Sequence, residues 1–172
     1  MNAAATQVRL DTSQAIALYR DMVYAIALTH TRSRFDAEDV FQEVFLAYHR
    51  KQPLFDDNER CKAWLIVTTL NCSKQVTAGA WRSKVVPING ERIDERVDAS
   101  FHFRTDEQDA VFSALQELPS RYRTVLHLFY FEDMSISQIA SVLDIEAGTV
   151  KVQLSRGRAQ MRDRLKGAYF NE

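Results

Sequence analysis

Apolar side chains recur every three or four residues through most of this chain, which is the period of an α-helix. The spacing is clear at Ile16, Tyr19, Val23 and Ile26, and again over residues 150–165. No segment alternates apolar and polar residues over β-branched positions, as a half-buried strand would. With only five Gly and three Pro among 172 residues, few turns are expected. The sequence therefore predicts an all-α fold.

Polar cap residues and helix breakers divide this pattern into separate helices. Thr12 or Ser13 can cap a first helix that ends near Thr31. Asp36 can cap a second helix, with Glu38 and Asp39 also in its first turn, and Pro53 ends it. Further helices are expected at about 60–81, 106–117, 119–131 and 135–143, and from about 147 onward.

The segment 87–104 interrupts the helical pattern. Pro87, Asn89 and Gly90 favour turns, and acidic residues then alternate with single apolar ones. We therefore predict two small helical domains, over residues 1–86 and 105–172, joined by a flexible linker over residues 87–104.

Composition argues against several classes of protein. The balance of 46% hydrophobic and 26% charged residues, with a net charge of -1, is that of an ordinary globular protein. The N-terminus lacks the apolar core of a secretion signal, and no apolar run reaches membrane-spanning length. We therefore expect a cytoplasmic protein without membrane insertion.

Several kinds of chemical site are also unsupported by the sequence. Cys61 and Cys72, if on one helix, would be about 16 Å apart, which is too far for a disulfide. The four histidines have no metal-ligand spacing, and neither a Gly-rich phosphate loop nor a nucleophile motif is present. We expect no cofactor, no metal and no catalytic residue, so the protein is not expected to be an enzyme.

Basic residues are concentrated in two predicted helices, although the whole chain is nearly neutral. Six lie between residues 148 and 166, against the single acidic Asp163, and five lie between residues 60 and 84 with no acidic residue. Such a helix can read nucleic acid, lie on a membrane surface, or present an ordinary solvated face. The outer face near the C-terminus lacks the bulky apolar residues that membrane insertion requires, which disfavours the second alternative.

The last two predicted helices have the pattern of a helix-turn-helix. In the first helix, small Ala140 allows close approach among apolar neighbours, and Ile145 closes the turn. In the second, an apolar stripe runs through Val150, Leu154, Gly157, Met161 and Leu165. This stripe leaves polar and basic side chains on the outside, where they can contact base edges and phosphates.

Two sets of motifs resemble extracytoplasmic-function sigma factors of the sigma-70 superfamily. The string LPSRYRTVLHLFYFEDMSISQIASVLDIEAGTVKVQLSRGRAQMRDRL (118–165) resembles their promoter-reading C-terminal domain. DAEDVFQEVFLAYHR (36–50) resembles their polymerase-docking helix, AWLIVTTLNCSKQV (63–76) the helix that reads the -10 element, and WRSKVVP (81–87) the exit from it. The motifs occur in the family's order and cover most of the chain.

The resemblance implies a subunit that directs core RNA polymerase to specific promoters and helps to open them. Its implied partners are promoter DNA, the clamp helices and flap of core polymerase, and an anti-sigma factor. For the clamp helices it implies Asp39, Gln42 and Glu43, and for the flap part of residues 125–131. For the -10 element it implies Asn58, Asn71, Lys74 and Gln75; for the -35 element, Thr149, Lys151, Val152, Ser155, Arg156 and Arg158.

Some residues depart from the family pattern. Asp56 and Asp57 place negative charge in the loop 54–61, which corresponds to the family's base-capturing loop. Val67 stands where relatives often carry a basic residue, so the preferred -10 sequence stays open. Trp64 is expected in the core rather than stacked on a base.

A second class of function fits part of the sequence. A dimeric helix-turn-helix regulator would bind operators without docking on polymerase, and it would account for the C-terminal half. It leaves the acidic segment 36–45 and the second basic helix without a role.

Overall fold

The computed structural model describes residues 7, 9–83 and 106–170, and all seven elements in these ranges are α-helices. The predicted all-α fold is confirmed. The predicted linker, residues 87–104, lies outside the described ranges. The helices are α1 (Thr12–Thr31), α2 (Arg34–Lys51), α3 (Asn58–Ser83), α4 (Asp106–Gln116), α5 (Ser120–Tyr130), α6 (Ile136–Leu143) and α7 (Ala147–Phe170).

The first two helices begin at other cap residues than the sequence suggested. The Asp11 carboxylate accepts from the Gln14 amide at 2.8 Å, and the Gln14 side chain accepts from the Asp11 amide at 2.9 Å. At α2 the Ser33 hydroxyl accepts from the Asp36 amide at 3.2 Å, so only Asp36 of the acidic residues lies in the first turn. The predicted caps Thr12, Ser13 and Asp36 were wrong, because each lies inside its helix. Asp36 does lie in the first turn of α2, as predicted, whereas Glu38 and Asp39 lie beyond it.

Helices α1, α2 and α3 form an N-terminal block around their own apolar core. Val23, Val40, Val44 and Leu65 are fully buried there. Trp64 packs edge-on against the Tyr48 ring, with the centroids 5.8 Å apart, as predicted for a core residue. Burial of these side chains, rather than helix propensity alone, holds the three helices together.

Helices α4 to α7 form a C-terminal block, in which α6 and α7 make the predicted helix-turn-helix. Ser135 and Gln138 cap α6 reciprocally, and Asp144 ends it in the left-handed conformation at φ 54°. Val150 and Leu154 of α7 are buried, and Gly157 brings α7 close to α5. A Cβ atom at Gly157 would lie 2.9 Å from Leu126 Cδ1. This contact fixes where the outer face of α7 points.

The two blocks pack against each other. Ile26 of α1 and Ile66 and Leu70 of α3 belong to the same buried cluster as residues of α4–α7. Leu65 of α3 belongs to the N-terminal core, and Ile66 and Leu70 form a separate side next to it. None of the helices in the described ranges is long and apolar enough to cross a membrane.

Candidate DNA and polymerase interfaces

The outer face of α7 carries the side chains predicted to read DNA. Lys151, Ser155 and Arg156 are exposed, and Val152 is 48% exposed although it is apolar. Val150 and Leu154 are buried on the opposite side of α7, and their burial fixes the orientation of this polar face. The structure thus brings together most of the residues predicted for the -35 element on one accessible helix face.

An open depression of about 330 Å³ lies where the first turns of α7 meet α5. Thr149, Val152 and Arg156 line it from α7, and Arg121 lines it from the start of α5. The Arg121 guanidinium lies 4.8 Å from the centre of the Tyr122 ring, which holds it at this edge. Two arginines and the N-terminal end of a long helix make the depression favourable for a phosphate group.

Arg121 was missed by sequence reasoning, because it is distant in sequence from the helix whose binding face it extends. A usable signal was its place in the LPSRYR segment, directly before the buried Tyr122. Adjacent positions of a helix lie about 100° apart, so a residue beside a buried aromatic side chain can reach the surface.

Arg158 has partners inside the C-terminal block. Its Nε donates to the Tyr130 hydroxyl at 2.7 Å, and its guanidinium lies 5.6 Å from the Phe129 ring centre and 5.8 Å from that of Tyr130. These contacts hold the side chain toward α5. A phosphate contact by Arg158 therefore requires either sharing or breaking the hydrogen bond to Tyr130.

Three of the four residues predicted for the -10 element share one side of α3. Asn71, Lys74 and Gln75 are exposed, and Val67 lies on the same side at 36% exposure. Asn58 is separate: it is the first residue of α3, about 20 Å along the axis from Asn71 at 1.5 Å per residue. The structure therefore does not bring Asn58 together with the other three.

The two acidic residues of the preceding loop have structural partners. Asp57 accepts from the Arg60 amide at 2.8 Å and so satisfies a free N–H at the start of α3. Asp56 lies 3.2 Å from the Arg60 guanidinium, which balances part of its charge. Helix capping and local pairing thus account for the acids that depart from the family pattern.

The predicted docking residues on α2 are exposed and have apolar neighbours. Phe35, Asp39, Gln42 and Leu46 follow a four-three-four spacing that places them on one face. Phe35 is 74% exposed and Leu46 is 43% exposed, while Glu43 borders the same face. Exposed apolar residues on an acidic helix are typical of a protein interface. The spacing of Phe35 and Leu46 in the sequence could have indicated them.

The structure also shows the state of the two cysteines and the grouping of side chains that could bind a metal. Cys61 and Cys72 are free thiols, and burial raises the pKa of both, which disfavours the reactive thiolate. Within the described ranges, no three His, Cys, Asp or Glu side chains are grouped as metal ligands would be.

Comparison with known proteins shows the family to which the chain belongs. Residues 15–83 match the family Sigma-70 region 2, and residues 108–161 match Sigma-70, region 4. The chain is 27% identical over 160 residues to the ECF RNA polymerase sigma factor SigW of Bacillus subtilis, covering 87% of this chain and 86% of SigW. This chain is an extracytoplasmic-function sigma factor.

Two further similarities concern this sigma factor as a whole. It is 29% identical over 152 residues to the ECF RNA polymerase sigma factor SigE of Mycolicibacterium smegmatis, covering 86% of this chain and 58% of SigE. Its fold is similar to the sigma factor RpoE of Bartonella quintana, solved in complex with the anti-sigma factor NepR. That likeness has a TM-score of 0.65 at 26% identity and covers 90% of this chain and 96% of RpoE.

Membership assigns the sigma factor its general activity. Proteins of this family direct RNA polymerase to promoters and act in transcription initiation. The region 2 match covers α2, α3 and all but the first three residues of α1. The region 4 match covers α5, α6, the part of α7 up to residue 161 and the depression beside it.

Proposed function

We propose that this sigma factor docks on core polymerase through the exposed face of α2 and reads promoters with α3 and α7. The observation that carries the proposal is the division of each helix into a buried stripe and an exposed face of suitable charge. Residues 1–86 would form the domain for clamp helices and the -10 element. Residues 105–172 would form the domain for the -35 element.

At the -35 element, α7 would enter the major groove. Lys151, Val152, Ser155 and Arg156 would meet base edges, since an arginine can bind both acceptors of guanine and a valine can pack against a thymine methyl. Thr149 and Arg121 would contact phosphates at the depression beside them. Arg158 would contribute only after leaving Tyr130.

At the -10 element, the exposed side of α3 would contact the displaced strand. Lys74 would attract the backbone, while Asn71 and Gln75 supply amide groups that can bind unpaired bases. Asn58, at the far end of the helix, would meet a different nucleotide of the same strand.

The docking face on α2 would meet the clamp helices of polymerase. Asp39 and Glu43 complement a basic surface and steer the encounter, and Gln42 adds a hydrogen bond. Phe35 and Leu46 would contribute apolar contact area. The flap of polymerase would use part of α5.

Other partners and the place of action follow from this proposal. We expect an anti-sigma factor, as in the complex of the similar RpoE with NepR. The sigma factor would act in the cytoplasm, where polymerase and promoters are, and would itself catalyse no reaction.

A binding titration with bacterial core RNA polymerase, followed by run-off transcription from a promoter library, tests the proposal. We expect one-to-one binding and transcripts from a defined set of promoters. Dimeric binding to duplex DNA without any binding to core polymerase would instead favour the helix-turn-helix regulator.

A further inference from the structure

We infer that Tyr130, the last residue of α5, is a further contact to the DNA backbone and that Arg158 positions it. Its hydroxyl donates to a phosphate of one strand, while Arg121 lies at the other strand. This inference rests on the proposed function, because it concerns how α7 is held in the major groove of the -35 element.

Helix α5 crosses α7 and reaches both of its flanks. Leu126, in the middle of α5, lies against Gly157, so the two helices meet there. At the start of α5, Arg121 lines the depression beside the first turns of α7. At the end of α5, the Tyr130 hydroxyl meets the side chain of Arg158.

The helical period places these two ends of α5 on opposite flanks of α7. Thr149 lines the depression together with Arg121 and precedes Arg158 by nine residues. Nine residues correspond to about 180° around a helix. Ser155 and Val152 lie between the two flanks, at about 60° and 120° from Arg158. The face proposed for base edges therefore has one end of α5 on each side.

The separation of the two ends fits the width of a major groove. Tyr130 follows Arg121 by nine residues, which is about 14 Å along the axis of α5. The major groove of B-form DNA is about 12 Å wide and has a phosphate backbone on each side. With α7 in the groove, Arg121 lies at one backbone and Tyr130 at the other.

Neighbouring side chains hold the Tyr130 hydroxyl in place, although Tyr130 is 54% exposed. The ring of Phe129 lies edge-on to that of Tyr130, with the centres 5.0 Å apart. The Arg158 guanidinium lies 5.6 Å from the Phe129 ring centre and 5.8 Å from that of Tyr130. Its Nε donates to the hydroxyl at 2.7 Å. A group fixed in this way loses little conformational entropy when it binds.

The hydrogen bond from Arg158 leaves Tyr130 able to donate. A phenol hydroxyl both donates and accepts, and here its oxygen accepts from Nε, so its hydrogen is available to an acceptor outside the protein. Accepting from a cation polarises the O–H bond and strengthens it as a donor. A phosphate oxygen is charged and forms the stronger kind of hydrogen bond. Arg158 thus acts on the phosphate through Tyr130, as a positioning residue, and makes no phosphate contact of its own in this arrangement.

Methylphosphonate substitution in the -35 duplex tests the contact, because it replaces one charged phosphate oxygen by a methyl group. Fluorescence anisotropy measures binding of the chain, in complex with core polymerase, to duplexes that carry one methylphosphonate at each position in turn. Tyr130→Phe removes only the hydroxyl. Tyr19→Phe is the matched control, since it removes a hydroxyl that donates to the Asn58 carbonyl oxygen in the N-terminal block.

Tyr130→Phe should weaken binding to the unmodified duplex about tenfold, as loss of a hydrogen bond to a charged group does. One methylphosphonate should weaken binding of the wild type, and this loss should disappear in Tyr130→Phe, because the two changes remove the same contact. The sensitive position should lie on the opposite strand from the position at which Arg121→Ala loses its sensitivity. Tyr19→Phe should match the wild type throughout.

Salt dependence provides a second readout. A neutral hydroxyl displaces no counterion, so Tyr130→Phe should leave the slope of the logarithm of the binding constant against the logarithm of the salt concentration unchanged. Arg121→Ala should make this slope less steep by about 0.9, the value for one phosphate. Arg158→Met keeps an apolar stem beside the rings and removes the donor. Its loss of affinity should not add to that of Tyr130→Phe.

Two results would overturn the inference alone. Unchanged or tighter binding by Tyr130→Phe would mean that the hydroxyl only restrains Arg158. Weaker binding by Tyr130→Phe with the sensitivity to every methylphosphonate intact would mean that the hydroxyl acts only within the protein. If the chain did not bind core polymerase, or if the complex did not bind the -35 duplex, the proposed function would fail and the inference with it.

Discussion

Gly157 sets how closely α7 approaches α5, because a side chain there would meet Leu126 and Tyr122. Gly157→Ala should therefore lower the free energy of unfolding by about 1–3 kcal/mol, as overpacking of a core does. Gly79→Ala is the matched control, since nothing lies within 4 Å of a Cβ atom at Gly79 in α3. That change should raise the free energy of unfolding by about 0.4–1 kcal/mol. Urea unfolding measures the free energy of unfolding of both variants. Equal stability of the two variants would contradict the packing argument.

Arg156 is the strongest candidate for a base contact on α7. Arg156→Ala should weaken binding to the preferred -35 duplex by about 1–3 kcal/mol, as loss of one bidentate contact does. Arg162→Ala removes an exposed arginine from another side of the same helix and should have a much smaller effect. Fluorescence anisotropy at one fixed salt concentration measures both. Equal losses in the two variants would mean that Arg156 acts only through general charge.

At the scale of single elements, substitutions on the exposed face of α2 test the docking proposal. Glu43→Lys should weaken binding to core polymerase, because it reverses a charge that faces a basic partner. Phe35→Ala should weaken it as well, since a side chain that is 74% exposed loses contact area only in the complex.

Asp21→Lys on α1 makes the same charge reversal outside the docking face and serves as the control. Both docking variants and the control can be compared by titration against labelled core polymerase. If Asp21→Lys weakened binding as much as Glu43→Lys, net charge rather than the α2 face would govern the association.

The presence and order of the helices could be predicted from the sequence. The exact residue at which each helix begins could not. The apolar period indicated the number and order of the helices, and burial of Val150 and Leu154 follows the predicted stripe of α7. Several neighbouring polar residues near residue 12 can serve as a cap, and the choice of Asp11 depends on a reciprocal bond with Gln14. Such a choice is made by backbone geometry, which the residue pattern does not contain.

At the scale of the whole molecule, His30 should make stability depend on pH. Burial first, and then the charges of Arg123 and Lys74, lower the pKa of His30 below its ordinary value of 6.5. In the unfolded chain His30 takes up a proton as the pH falls through that value. In the folded protein the same side chain takes up its proton only at a lower pH. Stability is therefore expected to be full above pH 6.5 and to decline on acidification.

Urea unfolding at pH 7.5 and pH 5.5 measures this decline, and His30→Gln should make it smaller. The difference between the wild type and the variant isolates His30 from the other groups that titrate in the same range. An identical decline in both proteins would contradict the assignment to His30.

The contact between the blocks is the part of the structure that the sequence did not predict. Ile66 and Leu70 lie beside Leu65 on α3, and the helical period does not distinguish a side that faces a neighbouring block from one that faces its own. Arg123 likewise has the appearance of one more surface arginine of the LPSRYR segment. The exposed residues of α7 proposed for base edges were predictable, because each lies opposite a stripe that the local period defines.

Arg123 of α5 is buried, and its guanidinium donates to the backbone carbonyl oxygens of Thr29 and His30 at the end of α1. Carbonyl oxygens are present whatever side chains stand at positions 29 and 30, so substitution there leaves these two hydrogen bonds available to the arginine. The two halves can therefore drift in sequence without compensating changes at this point. A hybrid that joins the C-terminal half of this protein, which carries Arg123, to the N-terminal half of a paralogue should therefore retain the arginine contact.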